Sequence, residues 1–470
     1  MTRTYEYDLI VIGAGPAGEK GAAQAAYFSK KVAVVDRQPS SVGGASLNTG
    51  THSKALRETA LSFSGLRQRR SYGIDYSLNR HLDISRIIKD EKAVVETERA
   101  TITRNLEHHH IETVWGVASL TDAHTVHVAL KDGGTRDLSA EIILIATGSS
   151  PFHPEGVPFN HPRVHDSDSI LQLEYLPRSL AIIGGGVIGS EYASVFSALG
   201  VKVTLVDARE RLLPFLDSEI AVRLGGHLER NELHFIFNTR VEKTSATEKQ
   251  VNITLSTGEV LNVEEALFAA GRVSNVQGLG LEALGVALGQ RGLIVVNEKY
   301  QTSVPNIYAA GDVIGFPALA STSMEQGRVA MVHAFELHYK ERVGAVVPLA
   351  VYTIPEIAMA GLTEDECTQK GIPCLVGRAY YANNRRGQLI GDTDGMIKLV
   401  FSPADKKLLG VHIFGELASE MIHTGAQVMA GSGTIDAFID AVYNYPTLSD
   451  LYKYAAYDGL DKWNALQEKR

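Results

Sequence analysis

Asp8-Leu9-Ile10-Val11-Ile12-Gly13-Ala14-Gly15-Pro16-Ala17-Gly18 is the stretch from which the fold can be read. Its first five residues form an apolar run of strand length. Its last six spell Gly-x-Gly-x-x-Gly, and an Ala-rich segment of helical character follows. Glycines at positions 13, 15 and 18 let the backbone turn tightly and approach a pyrophosphate at the positive end of the next helix. A second strand from Lys31 to Val35 ends at Asp36, 23 residues after Gly13, at the spacing where a carboxylate meets a ribose. A Gly-rich turn alone is a weak signal. Strand, turn, helix, strand and acid in sequence make a strong one.

Working outward, the pattern occurs a second time. Ser179 to Ile183 is apolar, Gly184-Gly185-Gly186-Val187-Ile188-Gly189 is Gly-rich, a helix follows to about Leu199, and Val201 to Val206 ends at Asp207. Two βαβ units predict an α/β fold with two Rossmann-type dinucleotide-binding domains, hence two dinucleotides, one held and one exchanging. Between the two motifs, about 53–110 reads as helical. Trp115 to Ile145 alternates and carries the turn Asp132-Gly133-Gly134, so it reads as short strands. The last 120 or so residues mix strands and helices without a nucleotide turn and are assigned to a third, α+β domain.

Composition sets outer bounds. The chain has 470 residues, 44% of them apolar and 21% charged, which suits a globular protein of two or three domains. The formal charge of −9, with no Lys/Arg-rich run, speaks against nucleic acid. No apolar run approaches the roughly 20 residues of a membrane span, and the N-terminus has no leader-like stretch, so a cytoplasmic location is expected. The two cysteines, Cys367 and Cys374, lie far from both Gly-rich turns and read as structural thiols in a reducing compartment.

These motifs and several others resemble the flavoprotein pyridine nucleotide–disulfide oxidoreductase (class I) family, over essentially the whole chain. Ala146-Thr147-Gly148-Ser149 is similar to the family's second FAD contact, and Ile307-Tyr308-Ala309-Ala310-Gly311-Asp312 to its third, where the Asp meets the ribityl chain. Ala318 to Ser321, with Ala320, follows as in the family near the flavin. Ala269-Ala270-Gly271-Arg272 resembles the turn closing the nicotinamide domain, and Val241 sits where a family valine borders the adenine. The resemblance implies FAD held by Gly13, Gly15, Gly18, Asp36, Lys54, Thr147, Gly148, Gly311, Asp312 and Ala320. It implies NAD(P) held by Gly184, Gly186, Gly189, Asp207, Val241 and Gly271. It also implies an FAD domain split over 1–150 and 275–345, an NAD(P) domain over 151–274, a dimerisation domain over 346–470, and a homodimer.

The departures are informative. Disulfide reductases of the family carry Gly-Gly-x-Cys-x-x-x-x-Cys where this chain has Gly43-Gly44-Ala45-Ser46-Leu47-Asn48-Thr49-Gly50-Thr51. A hydroxyl is no two-electron couple, so Ser46 and Thr51 cannot replace the dithiol. The usual Ile-Pro before Ser-Lys is the single His52, and the family's C-terminal His-Pro-Thr-x-x-Glu reads Tyr445-Pro446-Thr447-Leu448-Ser449-Asp450. Three parts of dithiol chemistry are absent together. Lys54 and Glu191 match a pair that the family places beside flavin N5, where a held cation stabilises charge on the reduced ring.

Asn444-Tyr445-Pro446-Thr447, Val164 to Ile170, Arg209 to Leu213 and Tyr352 to Ile357 are similar to the family's transhydrogenase branch. That likeness implies hydride transfer between NAD(P)H and NAD(P)+ through FAD. The alternative is an NAD(P)H dehydrogenase that reduces a quinone or another small acceptor, and a third reading is a redox sensor without turnover. Asp207 stands where a carboxylate favours NAD(H) and repels a 2′-phosphate, while Arg209 and Arg211 either offset that repulsion or are plain loop charges. NADP(H) therefore stays open.

Other residues stay structural. His108, His109 and His110 point about 100° apart on a helix, so no metal site is expected. Arg385-Arg386 reads as surface charge and Tyr380-Tyr381 as packing. Gly116 and Ala118 stand between an adenine contact and a plain turn.

Overall fold

A computed structural model describes residues 4–68 and 84–468. The chain divides into two compact units. The first comprises 1–53, 86–152 and 271–343, and the second 54–85, 153–270 and 344–470.

The first unit is built on a parallel sheet. Strand Tyr7–Ile12 pairs with Val32–Asp36 on one side and with Thr135–Ile145 on the other. Glu112–Leu120 adds outside Val32–Asp36, and Ile307–Ala309 adds outside Thr135–Ile145, all in parallel register. Leu9, Ile10, Val11, Ala33, Val34, Ile143 and Leu144 are fully buried, as expected for strands covered on both faces. The alternating stretch is a three-stranded meander. Glu112–Leu120 and Thr135–Ile145 run on past the parallel sheet and pair antiparallel with Thr125–Leu130. Helix Pro16–Tyr27 opens directly after Gly15, with Pro16 at its first position, where its missing N–H costs nothing.

The second unit repeats the plan. Its parallel sheet runs His234–Ile236, Lys202–Val206, Ser179–Ile183, Glu265–Phe268 and Val164–His165. Helix Val187–Ala198 opens after Gly186. Val241–Ala246, Val251–Leu255 and Val260–Val263 form a separate antiparallel sheet. The rest of this unit is a five-stranded antiparallel sheet in the order Leu349–Val351, Ile357–Gly361, Leu408–Phe414, Met396–Phe401, Leu375–Tyr380. Helices Ala418–Ala430 and Leu451–Gln467 cover it, and Phe401, Phe438 and Tyr452 are buried between. The fold is therefore α/β, with two Rossmann-type portions and a C-terminal α+β portion. The helical stretch expected over 53–110 contains helices His52–Gln68 and Ile84–His108, while 69–83 lies outside the described residues.

Candidate functional site

The two Gly-rich turns have nearly the same geometry. Gly13 has φ +106° and Gly184 φ +111°, a region closed to most side chains. A Cβ on Gly18 would stand 1.9 Å from the Gly13 carbonyl oxygen, and one on Gly189 would stand 1.8 Å from that of Gly184. The third glycine of each motif therefore exists for packing of helix on turn. In both, the acid at the end of the second strand binds the turn itself. The Ala14 N–H donates to Asp36 Oδ2 at 2.6 Å, and the Gly185 N–H donates to Asp207 Oδ2.

The acids differ in what else they hold. Asp36 also accepts from the Arg37 N–H at 2.6 Å. Asp207, only 6% exposed, is gripped further. Its Oδ1 accepts from the Arg209 N–H at 2.8 Å and from Arg209 Nε at 2.9 Å, and its Oδ2 from Arg209 Nη2 at 2.6 Å. Burial pushes the Asp207 carboxyl up, but the Arg209 side chain and the two backbone N–H groups outweigh it and hold it below the usual range. Arg211 bonds instead to the Pro214 carbonyl.

The first unit fits FAD on its own observations. Thr147 Oγ1 is buried and has no hydrogen-bond partner among the described residues. Beside it Gly148, at φ +69°, has no atom within 4 Å of where a Cβ would be. Asp312 accepts from Ser149 Oγ at 2.9 Å, and Ser149 Oγ accepts in turn from Arg272 Nε at 2.8 Å. The Gly311 N–H donates to Gln326 Oε1, and Ala320 opens helix Ala320–Ala334. Of the residues expected to hold FAD, all but Lys54 fall in the first unit; of those expected to hold NAD(P), all but Gly271 fall in the second. Gly271 sits beside the short ladder that pairs Arg272–Ser274 with Ser149–Pro151. Val241 opens its strand and is half-buried.

Lys54 and Glu191 are brought together. Lys54 Nζ lies 2.6 Å from Glu191 Oε2, with the lysine side chain 38% and the glutamate 13% exposed. Lys54 is in the first turn of helix His52–Gln68, and Glu191 is in the second turn of the helix that follows Gly186. Glu191 Oε1 accepts from the Tyr352 N–H at 2.8 Å, and the Lys54 ammonium stands 4.8 Å from the centre of the Tyr352 ring. One turn along the same helix, the buried Arg57 donates to the Thr353 carbonyl at 3.1 Å and pairs with Glu356 at 3.0 Å. In the sequence, Tyr352 and Glu356 belong to the stretch Tyr352 to Ile357 that carries the likeness, and Arg57 lies outside every such stretch. A basic residue one helical turn after Lys54 was the available signal.

The segment at the dithiol positions is a π-helical turn, Ser46–Thr51, running directly into helix His52–Gln68. Ser46 Oγ donates to the Gly43 carbonyl at 2.8 Å, and Thr51 Oγ1 donates to the Ser46 carbonyl at 3.3 Å. Both hydroxyls are thus occupied with local backbone. Asn48 is held by Arg99 at 2.6 Å. Burial, then Lys92 and Arg99, push the His52 imidazole down, so it is neutral at physiological pH. Cys367 and Cys374 are free thiols, and burial together with Cys374 pushes Cys367 up to about 11.

Two Rossmann portions, a threaded Gly-x-Gly-x-x-Gly in each and an antiparallel C-terminal sheet define a dinucleotide oxidoreductase, and the chain belongs to the pyridine nucleotide-disulphide oxidoreductase family. Residues 7–327 match the model of that family, and residues 347–456 match its dimerisation domain. The chain is 42% identical over 469 residues to the "Soluble pyridine nucleotide transhydrogenase" of Mycobacterium bovis (strain BCG / Pasteur 1173P2), covering 99% of each. It is 39% identical over 475 residues to the protein of the same name from Colwellia psychrerythraea, covering 98% of this chain and 100% of the other. Among solved structures it is similar to LpdA of Mycobacterium tuberculosis, with TM-score 0.88 and 28% identity over 96% of this chain and 99% of that one. It is also similar to the HOCl-induced flavoprotein disulfide reductase RclA of Escherichia coli, with TM-score 0.85 and 28% identity over 95% of this chain and 99% of that one. No helix among the described residues is long and apolar enough to cross a membrane.

Proposed function

We propose that the protein is an FAD-dependent transhydrogenase that moves hydride between NAD(P)H and NAD(P)+ without a redox disulfide, working as a homodimer in the cytoplasm. The observation that carries this reading is the Lys54–Glu191 pair combined with hydroxyls at positions 46 and 51. Bound FAD supplies the two-electron carrier between the two nicotinamide substrates. The chain's own residues do the rest. The turns at Gly13 and Gly184 bring backbone N–H groups to a pyrophosphate. Lys54, fixed by Glu191, supplies a positive charge where negative charge develops. Asp312 and Thr147 hold the FAD, Gly186 and Asp207 the nicotinamide dinucleotide. Names of relatives at about 40% identity support the activity, and the match to a dimerisation domain supports the homodimer.

NAD(H) is the better substrate in this reading, because Asp207 sits at the ribose position. The Arg209 fork leaves the site less repulsive to a 2′-phosphate than a bare carboxylate would be. The test is anaerobic stopped-flow absorbance at the flavin band: reduction by NADH, then mixing with NADP+, thionicotinamide-NAD+ or a quinone. Fast reoxidation by both dinucleotides is expected. Reoxidation by the quinone alone would replace the proposal with an NADH:acceptor reductase. Dihydrolipoamide:NAD+ turnover is expected at background, and clear turnover would overturn the disulfide-free reading.

A further inference from the structure

Lysine is a poor fixed charge. Its ammonium ends a four-carbon stem with three rotatable donors, and one carboxylate partner leaves it free to pivot. Here the second hold is an aromatic face. Lys54 Nζ lies 4.8 Å from the Tyr352 ring centre, within the distance at which a ring quadrupole attracts a cation. Tyr352 also reaches the other partner, since its backbone N–H donates to the Glu191 oxygen that Lys54 leaves free.

The segment carrying Tyr352 is itself well anchored. It joins strands Leu349–Val351 and Ile357–Gly361, which pair antiparallel. The Ile354 N–H donates to Ser194 Oγ at 3.1 Å, one helical turn beyond Glu191. The Thr353 carbonyl and Glu356 hold Arg57, one turn beyond Lys54. Glu356 accepts in addition from the Ser419 N–H at 2.9 Å. The loop thus ties both helices that carry the pair, and its aromatic ring is delivered to the ammonium by a backbone with little freedom.

We propose that Tyr352 is a positioning residue: its ring confines and stabilises the Lys54 ammonium, and its N–H orients Glu191. This rests on the proposed role of Lys54, which it deepens by assigning the group that fixes the charge. The facing groups are accounted for. Glu191 is the carboxylate on Lys54. Arg57 pairs with both Glu356 and Glu58, and Glu420 is a further acid close enough to act on Tyr352.

The test is trinitrobenzenesulfonate labelling of Lys54 in the FAD-loaded protein across alkaline pH, followed by peptide mass spectrometry. Losing the ring face in Tyr352→Leu is expected to lower the midpoint pH of labelling by about half a unit, with Tyr352→Phe unchanged. Mere uncovering of the side chain would raise the rate at every pH without moving the midpoint, and that outcome overturns the proposal. Should the Leu variant not fold, pentafluorophenylalanine at position 352 keeps the ring's shape while reversing its quadrupole, and the same downward shift is expected. An unmoved midpoint there also overturns it. Lys54→Met separates the two claims. If it leaves flavin reduction by NADH unchanged while the Tyr352 shift is present, the role of Lys54 falls and the ring's hold on the ammonium stands.

Discussion

Asp207 is where charge and fold meet in one side chain. A carboxylate has about four lone-pair positions, and the Gly185 N–H with three donors of Arg209 fills them. If the proposed role of Asp207 holds, a ribose hydroxyl has to compete with Arg209, whose side chain is 46% exposed and so has room to leave. Asp207→Ala removes the anion and frees the guanidinium. Its NADPH/NADH ratio of kcat/KM is expected to rise about tenfold, the equivalent of ~1.4 kcal/mol. Arg209→Ala bares the carboxylate and is expected to lower that ratio. Steady-state kinetics with both dinucleotides checks the pair, and two unchanged ratios would mean that position 207 does not face the ribose. The position of this acid was legible in the sequence, because strand, turn and spacing dictate it. The Arg209 fork was not, since a side chain two residues along returns only if the loop's dihedrals allow it.

At the scale of the element, the two Gly-rich turns separate stability from binding. A Cβ on Gly186 meets nothing within 4 Å, whereas one on Gly189 collides with the Gly184 carbonyl. Gly186→Ala is therefore expected to melt like the parent but to bind 5′-ADP at least about tenfold more weakly, because the added methyl fills the approach to the pyrophosphate. Gly189→Ala is expected to lower Tm. Thermal melts and calorimetry with 5′-ADP distinguish the two, and a Gly186→Ala variant with parental affinity would show that the turn is not a nucleotide site. Legibility at this scale followed periodicity. The apolar runs at Leu9, Val32 and Leu180 became buried parallel strands, and the alternation from Trp115 to Ile145 became a meander. The paired three-residue strands Ser149–Pro151 and Arg272–Ser274 are too short to carry a period, and the π-helical turn at Ser46–Thr51 leaves no mark on hydrophobic spacing.

For the molecule as a whole, the second unit contains a buried charge cluster that its sequence did not announce. Lys398, 1% exposed, reaches Asp217, 0% exposed, at 2.9 Å and Glu364 at 2.6 Å. Asp217 also caps helix Ser218–Arg230, so the cluster fastens a Rossmann helix to strand Met396–Phe401 of the C-terminal sheet. Lys398→Met removes the cation and strands a buried carboxylate, at an expected cost of about 3–5 kcal/mol at neutral pH. Burial pushes the Asp217 carboxyl up, and His412, then the Lys398 hydrogen bond and charge and the Glu364 N–H, hold it below the usual range. The parent therefore has this stabilisation above the unfolded carboxylate pKa of about 3.9 and loses it as pH falls through the lower folded value. In Lys398→Met the carboxyl titrates upward instead, so the deficit is expected to shrink between pH 7 and pH 4.5. Urea denaturation at both values measures it, and a pH-independent deficit would count against the pairing. The same partition of the chain bears on synthesis. The first unit takes its sheet strand Ile307–Ala309 from its third segment, and the second unit opens with residues 54–85 and closes only with 344–470. A growing chain on the ribosome therefore cannot complete either unit until well over half of it has emerged. Its apolar strands wait meanwhile without their neighbours, the condition in which an incomplete chain is most prone to aggregate.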